Sequence, residues 1–555
     1  MLPGSMVNPY KPELAVNQIA FLSASHPFWQ PSALPRSVLR ASQPSENRTG
    51  ALCRSSVRST LAGGAPPDIC SLGPWAREGA VRIARILIVG AGVVGMGAAL
   101  LLSRDGHEVT VLERDADAPP ADPEESWDSW QRKGVNQFRL PHFFLARYRS
   151  LLSTELPELM AALAAAGAVR VNSVLSAPEQ LRGPAREEDG AFECLSGRRC
   201  VVEAVVASVA SRSPRLAIRR GTAVTGLVTG PAAHDGVPHV TGVRLASGEE
   251  LPADLVVDMT GRRSRLPRWL ESIGARAPDE ELDDCGFIYY GRHFRSASGD
   301  VPPAIGGPLQ HLGSISSLTL PADNGTWSVT LITSANDKAL RPLHDAGTWE
   351  RTVRSLPLVA HWLDAEPIDD GVMAIAGIED RHRSLMVDGA PVATGVVVAG
   401  DAWACSNPSV GRGASIGMMQ ATVLRDTIAA TGLKDPWEFA CAFHRATAEL
   451  VEPWFRDTLA ADRHRLAEID ALIAGDQYRP PDPAWEASQA LASAAFKDPD
   501  CLRGFVSVGM VLSREADVLS RPGMLEKVTD LGAGWRDEPI PAPDRDDLLS
   551  TVAGG

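Results

Sequence analysis

The residue types and spacings that could support chemistry lie in two glycine-rich segments far apart in the chain. The first is Gly90-Ala91-Gly92-Val93-Val94-Gly95. In this spacing the first glycine permits a tight turn and the second lets the backbone approach a pyrophosphate. The third lets a helix pack on the preceding strand, with the phosphates at the positive helix N-terminus, next to Val93 and Val94. Glu113, followed by Arg114, comes 23 residues after Gly90, where an acid accepts from a ribose 2′-hydroxyl. An acid there suits a ribose without a 2′-phosphate, so FAD or NAD is favoured over NADP. The second segment is Gly400-Asp401-Ala402, then Asn407-Pro408-Ser409-Val410-Gly411-Arg412-Gly413 leading into a helix. Asp401 could bind ribitol hydroxyls. The helix start around Arg412 could stabilise negative charge on a reduced flavin, which makes Arg412 a weak catalytic candidate. Two dinucleotide elements this distant in sequence argue for FAD stretched across one domain.

Elements that would position these residues can be read around them. Ile83–Val89 is a short apolar run rich in β-branched residues, expected as a buried parallel strand. Val93 to Arg104 follows as an apolar helix and Glu108–Glu113 as a second strand, a βαβ unit. Arg147–Gly167 is expected to be helical, and Ala223–Val228 with Val240–Leu245 to form a hairpin leading to Leu251–Asp258. Phe287 to Thr333 holds several strand-like runs separated by Gly, Pro and Asn, as in the mixed sheet of a second domain. Val396–Gly400 is another buried strand, and from Trp437 onward the pattern is mostly helical. The fold class is therefore α/β: a split Rossmann-type FAD-binding domain with an inserted β-sheet substrate domain and a helical C-terminal region. The expected boundaries are 82–280 and 381–430 for the two parts of the FAD domain, 281–380 for the substrate domain, and 431–555 for a helical cover over the pocket.

Composition bounds the rest. The 555 residues carry a net charge of −14, which argues against nucleic acid and against a polybasic membrane anchor. Ile86 to Leu102 is free of charge but contains four glycines and breaks into strand, turn and helix, so no integral membrane segment is expected. Eight scattered cysteines form no C-x-x-C pair and no zinc spacing, consistent with reduced thiols in a cytoplasmic protein. Residues 1–81, rich in Pro and Ser and aperiodic, are expected to be a disordered or mis-started extension.

No Ser/His/Asp or metal constellation is evident, which fits chemistry residing on a cofactor. Strand alternation places Ile288, Tyr290, Arg292 and Phe294 on one face and Phe287, Tyr289 and His293 on the other. Tyr290 and Arg292 are weak candidates for a substrate wall. Asp462-Arg463-His464-Arg465 is expected to be a solvated helix face. Trp403 and Cys405 sit near the flavin by position, and packing is the better reading for Cys405.

Together, GAGVVG…Glu113, Arg132-Lys133-Gly134-Val135-Asn136-Gln137, Leu255 to Ser264, Tyr289 to Arg295 and GDAWACSNPSVGRG resemble the FAD-dependent monooxygenases of the p-hydroxybenzoate hydroxylase fold. The motifs are most similar to those of bacterial polyene epoxidases of polyether biosynthesis and related natural-product oxygenases. The resemblance spans about residues 83–550. It implies that Arg132 and Gln137 approach the FAD, that Arg199 is the family's Arg ahead of a helix, that Val224 frames the adenine, and that Gly261 lies at the cofactor. Asn136 stands where the family often has Pro. Met259-Thr260-Gly261 lacks the Asp of the aromatic hydroxylases' Asp-Gly, which leaves the docking of the reductant open. The resemblance further implies a C4a-hydroperoxyflavin that passes oxygen from O2 to a hydrophobic small molecule by epoxidation or hydroxylation. NAD(P)H would be the reductant, directly or through a partner flavin reductase. An alkene reductase of the geranylgeranyl-reductase type and a flavin-binding protein without catalysis are the alternatives.

Overall fold

The computed structural model describes residues 83–554 apart from Asn136. The expected N-terminal extension, residues 1–81, lies outside them. The chain starts with the βαβ unit read from sequence: β1 (Arg85–Val89), α1 (Val93–Arg104) and β2 (Glu108–Leu112). The helix α2 (Arg199–Ala210) leads to β3 (Leu216–Arg219), and a hairpin over Val224–His234 and Val237–Leu245 precedes β4 (Leu255–Asp258). Next comes an antiparallel meander, β5 (Phe287–Arg295), β6 (Leu309–Leu312), β7 (Ile315–Pro321) and β8 (Thr326–Ser334), then α3 (Ala346–Arg354). After it, β9 (Val396–Val398) returns to β4 and α4 (Gly413–Thr431) follows. The chain closes with α5 (Glu452–Ala474), α6 (Pro483–Ala494), α7 (Pro499–Gly509) and shorter helices. No described helix is long and apolar enough to cross a membrane.

The first sheet is wholly parallel, in the order β9-β4-β1-β2-β3. Its apolar strands are covered by α1, against which α4 packs at close range. A Cβ on Gly417 would come within 2.9 Å of Val94, and one on Gly97 within 2.9 Å of the Met418 sulfur. The second sheet runs β6-β7-β8-β5. One of its faces buries Tyr290, Phe294, Trp327 and Leu331 against α3 and the C-terminal helix residues Leu548 and Val552. The other packs Phe287, Tyr289 and Ile332 with Leu140 and Ile469.

The region expected as one helix, Arg147–Gly167, is two, Ala146–Glu155 and Pro157–Ala165. Pro157 occupies the first turn of the second, and Leu156, just before it, has ψ 59, outside the helical range. A residue preceding proline is pushed out of the helical region by the ring, so the break follows from one residue.

Buried arginines join distant segments. Arg198, fully buried ahead of α2, donates Nε to Asp323 Oδ2 at 2.9 Å, where Asp323 forms the β7–β8 turn. It also reaches Glu124 at 2.5 Å. Arg503 of α7 grips Asp189 through both carboxylate oxygens at 2.7 and 2.8 Å. Removing one partner of such a pair leaves an uncompensated buried charge. Asp323→Ala should therefore cost about 3–5 kcal/mol in urea unfolding. Glu124→Ala, whose carboxylate is a third exposed, should cost less than about half of that. Equal losses for the two variants would contradict this account.

Candidate functional site

A single cavity of about 2120 Å³ opens beside the carboxyl ends of β1, β4 and β9 and continues beneath α5, α6 and α7. A pocket for one drug-sized ligand occupies about 300–1,000 Å³, so this one has room for a dinucleotide and a second ligand together. Gly90, Ala91, Gly92, Val93, Val94 and Gly95 all line it. Gly90 has φ +110 and its backbone meets the Met259 carbonyl too closely for any side chain. Gly92 has nothing within 4 Å of where a Cβ would stand, an open cradle on the cavity side.

Helix ends sharpen this picture. Five helices, among them α3, α6 and α7, take an Asp side chain at the N-cap: Asp345, Asp435, Asp482, Asp498 and Asp544. Helices α1 and α4 have no side-chain cap and no acid in the first turn. Their first residues line the cavity, so their free N–H groups and positive ends face it.

The acid at the end of β2 belongs to a buried charge cluster. Glu113 Oε2 accepts from the Ala91 N–H at 3.0 Å and is ion-paired with Arg132. Among the described residues its Oε1 accepts from the Asp115 N–H alone, at 3.0 Å, which leaves a lone pair for a ligand. Arg132 also donates to the Ala91 carbonyl at 2.8 Å and to Glu203 at 2.5 Å. Glu203 in turn holds Arg199, whose Nη1 lies 3.3 Å from Gln137 Oε1 and 2.9 Å from His142 Nε2. Burial and the Arg199 charge push His142 down to about 3, so its ring is neutral and accepts from Arg199. Arg114, Arg132, Gln137, Arg199, Val224 and Gly261 all line the cavity.

Asp401 lines the same cavity from the β9 side, with Pro408, Gly411, Arg412 and Gly413. Its carboxylate is open to the cavity and has no hydrogen-bond partner among the described residues. Burial raises its pKa above the ordinary carboxylate value, against the pull of Arg199 and Arg262. An unpartnered carboxylate, an open Gly92 and two bare helix ends around one space fit the hydroxyls, pyrophosphate and ring of FAD. No group of three potential metal ligands occurs among the described residues.

Three expectations change. Tyr290 and Arg292 do not line the cavity: they face α3, where Arg292 lies 5.8 Å from the Trp349 ring and 3.2 Å from Asp369. The face turned to the FAD-binding side is that of Tyr289 and Gly291, because a Cβ on Gly291 would lie 3.7 Å from Leu140. Asp462 is buried rather than solvated, and His464 and Arg465 line the cavity; only Arg463 is mostly exposed. Arg412 is neither in bulk solvent nor aimed solely at the α4 N-terminus: its Nη groups reach Thr458 at 3.1 Å and the Val508 carbonyl at 3.4 Å. Cys405 is buried, and Trp403 is enclosed between His382 and Phe455.

Sequence reasoning passed over a buried polar chain. The Tyr289 hydroxyl donates to Asn407 Oδ1, and Asn407 Nδ2 donates to Asp462 Oδ1 at 2.8 Å. It links β5, the Pro408 loop and α5. No spacing rule joins these three positions; an Asn directly before the Pro408 turn was the one available signal. Asp462 Oδ2 has no partner among the described residues.

A family model for FAD dependent oxidoreductases matches residues 85–130. The chain is 27% identical over 400 residues to Protein Rv3254 of Mycobacterium tuberculosis, covering 69% of this chain and 81% of that protein. Among solved structures it is similar to pqsL, a probable FAD-dependent monooxygenase from Pseudomonas aeruginosa. That match has a TM-score of 0.50 and 17% identity over 70% of this chain and 99% of the other. It is also similar to the Diels-Alderase PyrE3 of pyrroindomycin biosynthesis, with a TM-score of 0.50 and 18% identity over 78% and 81% of the two chains. The chain has the fold of the FAD-dependent monooxygenases.

Burial pushes Asp462 up to about 7, with Asp380 adding to it and Asn407 and Arg412 opposing. A carboxyl whose folded pKa is raised disfavours folding once the unfolded group ionises. The loss builds as pH rises from the ordinary carboxylate range through about 7 and is complete above it. Asp462→Asn keeps an acceptor for Asn407, so its melting temperature relative to wild type should rise between pH 5 and pH 8. A difference that is constant across this range would show that Asp462 is not neutral at low pH in the folded state.

Proposed function

We propose that this protein is an FAD-dependent monooxygenase that inserts one oxygen atom from O2 into a hydrophobic, natural-product-like small molecule, by epoxidation or hydroxylation. What carries the reading is the convergence on one cavity of the Gly92 cradle, the bare starts of α1 and α4, and the unpartnered Asp401. Bound there and reduced by NAD(P)H, directly or through a partner reductase, FAD would supply the O2 activation. The similarity to pqsL, described as a probable FAD-dependent monooxygenase, supports the same class.

The chain's own residues bind, orient and shield. Gly90, Gly92 and Gly95 with the Val93 and Val94 amides hold the pyrophosphate at the start of α1. The free lone pair of Glu113 takes a ribose hydroxyl, while Arg114 and Val224 flank the adenosine end. Arg132 fixes Glu113, and Arg199 with Gln137 and Gly261 lines the middle of the cofactor. Asp401 takes ribitol hydroxyls. Pro408, Gly411 and Gly413 bring the α4 N–H groups to the flavin ring, where positive potential favours its reduced form. Residues 82–280 and 381–430 are then the two parts of the FAD-binding domain, and 281–380 the substrate domain. Residues 431–555 are the helical cover that keeps water from the reacting atoms.

The purified protein should be yellow and consume O2 in proportion to substrate converted. Product formation without oxygen would instead indicate an alkene reductase, and flavin without turnover a binding protein. Asp401→Ala should weaken FAD retention by about 1–3 kcal/mol, roughly five- to 150-fold in Kd by equilibrium dialysis. Unchanged FAD affinity in this variant would remove Asp401 from the cofactor site.

A further inference from the structure

The sheet wall of the cavity carries one imidazole. His311 on β6 stands in a cross-sheet row with Ser316 of β7, Ile332 of β8 and Tyr289 of β5, the row that faces away from α3. Its ring is accessible and lines the cavity. Arg465 of α5 donates Nη2 to the Gly313 carbonyl at 2.6 Å and to Ser316 Oγ at 3.2 Å. Ser316 Oγ lies 2.9 Å from His311 Nδ1. Since Ser316 already accepts from Arg465, its own proton goes to Nδ1; the reverse leaves a buried hydroxyl proton unpaired. Enclosure by the cavity walls and the Arg465 guanidinium hold the imidazole below its ordinary pKa, so the ring is neutral at pH 7 and above. Nδ1 is thus an acceptor and Nε2 carries the N–H. Nε2 has no partner among the described residues.

Several charges on this side of the cavity are paired, while Arg412, which reaches Thr458 and the Val508 carbonyl, has no ion-pair partner among the described residues. Arg465 pairs with Glu468 and Arg514 with Asp457. His464 lies 3.1 Å from Asp482, and Lys497 pairs with Glu538. Burial raises the pKa of Glu515, which favours its neutral form. Leu309, Leu318, Trp454, Trp485, Phe496 and Phe505 supply apolar and aromatic wall. A ligand beside His311 meets a neutral donor within a largely apolar wall.

We propose that His311 is a specificity-determining residue of this cavity. Its Nε2–H selects largely apolar ligands that present an acceptor oxygen, such as a ketone, over ligands of the same shape that lack one. The role rests on the reading that this end of the cavity receives the substrate, and the test keeps the two apart.

Equilibrium binding to the purified protein, followed by tryptophan fluorescence, would compare two probes of one shape: 9-fluorenone and fluorene. Wild type should prefer fluorenone over fluorene by about three- to tenfold, the effect of one neutral hydrogen bond. His311→Phe should erase the ketone preference while leaving fluorene affinity within about twofold, and His311→Gln, which retains an N–H, should keep it. The Gln variant also decides the matter if the Phe variant does not fold, since a ketone preference lost there overturns the role. A preference unchanged in His311→Phe would also overturn it. Flavin absorbance of each sample tests the cofactor separately. A yellow protein without ketone preference refutes the role of His311 and leaves the FAD reading standing; a ketone preference in protein that stays colourless after incubation with excess FAD supports His311 and refutes the FAD reading.

Discussion

One guanidinium holds the dinucleotide end of this molecule together. Arg132 is buried against Glu113 from β2 and Glu203 from α2, and donates as well to the Ala91 carbonyl of the phosphate loop. Without it two carboxylates would face one another in the interior, a far worse arrangement than a single unpaired charge. Burial alone would lower the pKa of Arg132, but Glu203 and Glu113 outweigh it and hold the charge in place. The loop conformation, the orientation of Glu113 and the seating of α2 therefore depend on the same contact. Through Glu203 the constraint extends to Arg199, Gln137 and His142, which line the cavity.

The same device recurs between segments. Arg198 ties the start of α2 to the β7–β8 turn, and Arg503 ties α7 to the short helical turn Glu187–Phe192 that precedes α2. Arg383 reaches Glu280 and the Ala402 carbonyl beside Asp401. The planar fork of arginine makes two or three fixed hydrogen bonds where lysine would present a mobile point charge. With 48 arginines and six lysines among its 54 cationic residues, this chain has many such forks, and several serve as buried joints around the cavity. They leave the cavity walls free for small residues, bare helix ends and apolar side chains.

That arrangement lets one continuous space serve two kinds of ligand. At the strand ends, unpaired N–H groups and Asp401 offer a polar cradle suited to phosphates and hydroxyls. Under α5 to α7, apolar and aromatic walls offer a surface suited to a largely apolar molecule. The Tyr289–Asn407–Asp462 chain lies where the meander, the Pro408 loop and α5 meet, so the protonation of one buried carboxyl bears on all three.

The sequence by itself determined the parts whose physics is local. Glycines at fixed offsets, an acid after a second apolar strand, and Gly400-Asp401 after a third were legible because turn geometry and helix-end electrostatics act over a few residues. The α/β class was legible for the same reason, since runs of β-branched residues and helical patterns alternate. The break before Pro157 was legible in principle and overlooked. Only the tertiary structure decided which face of β5 turns toward the FAD-binding side and which toward α3, since alternation separates Tyr289 from Tyr290 but is symmetric between them. Only it showed that Asp462 is buried on a helix with charged neighbours, and that Asp401 is open while Arg132 is closed. Burial depends on what lies opposite a side chain, and here those partners come from segments hundreds of residues away, a relation no local spacing encodes.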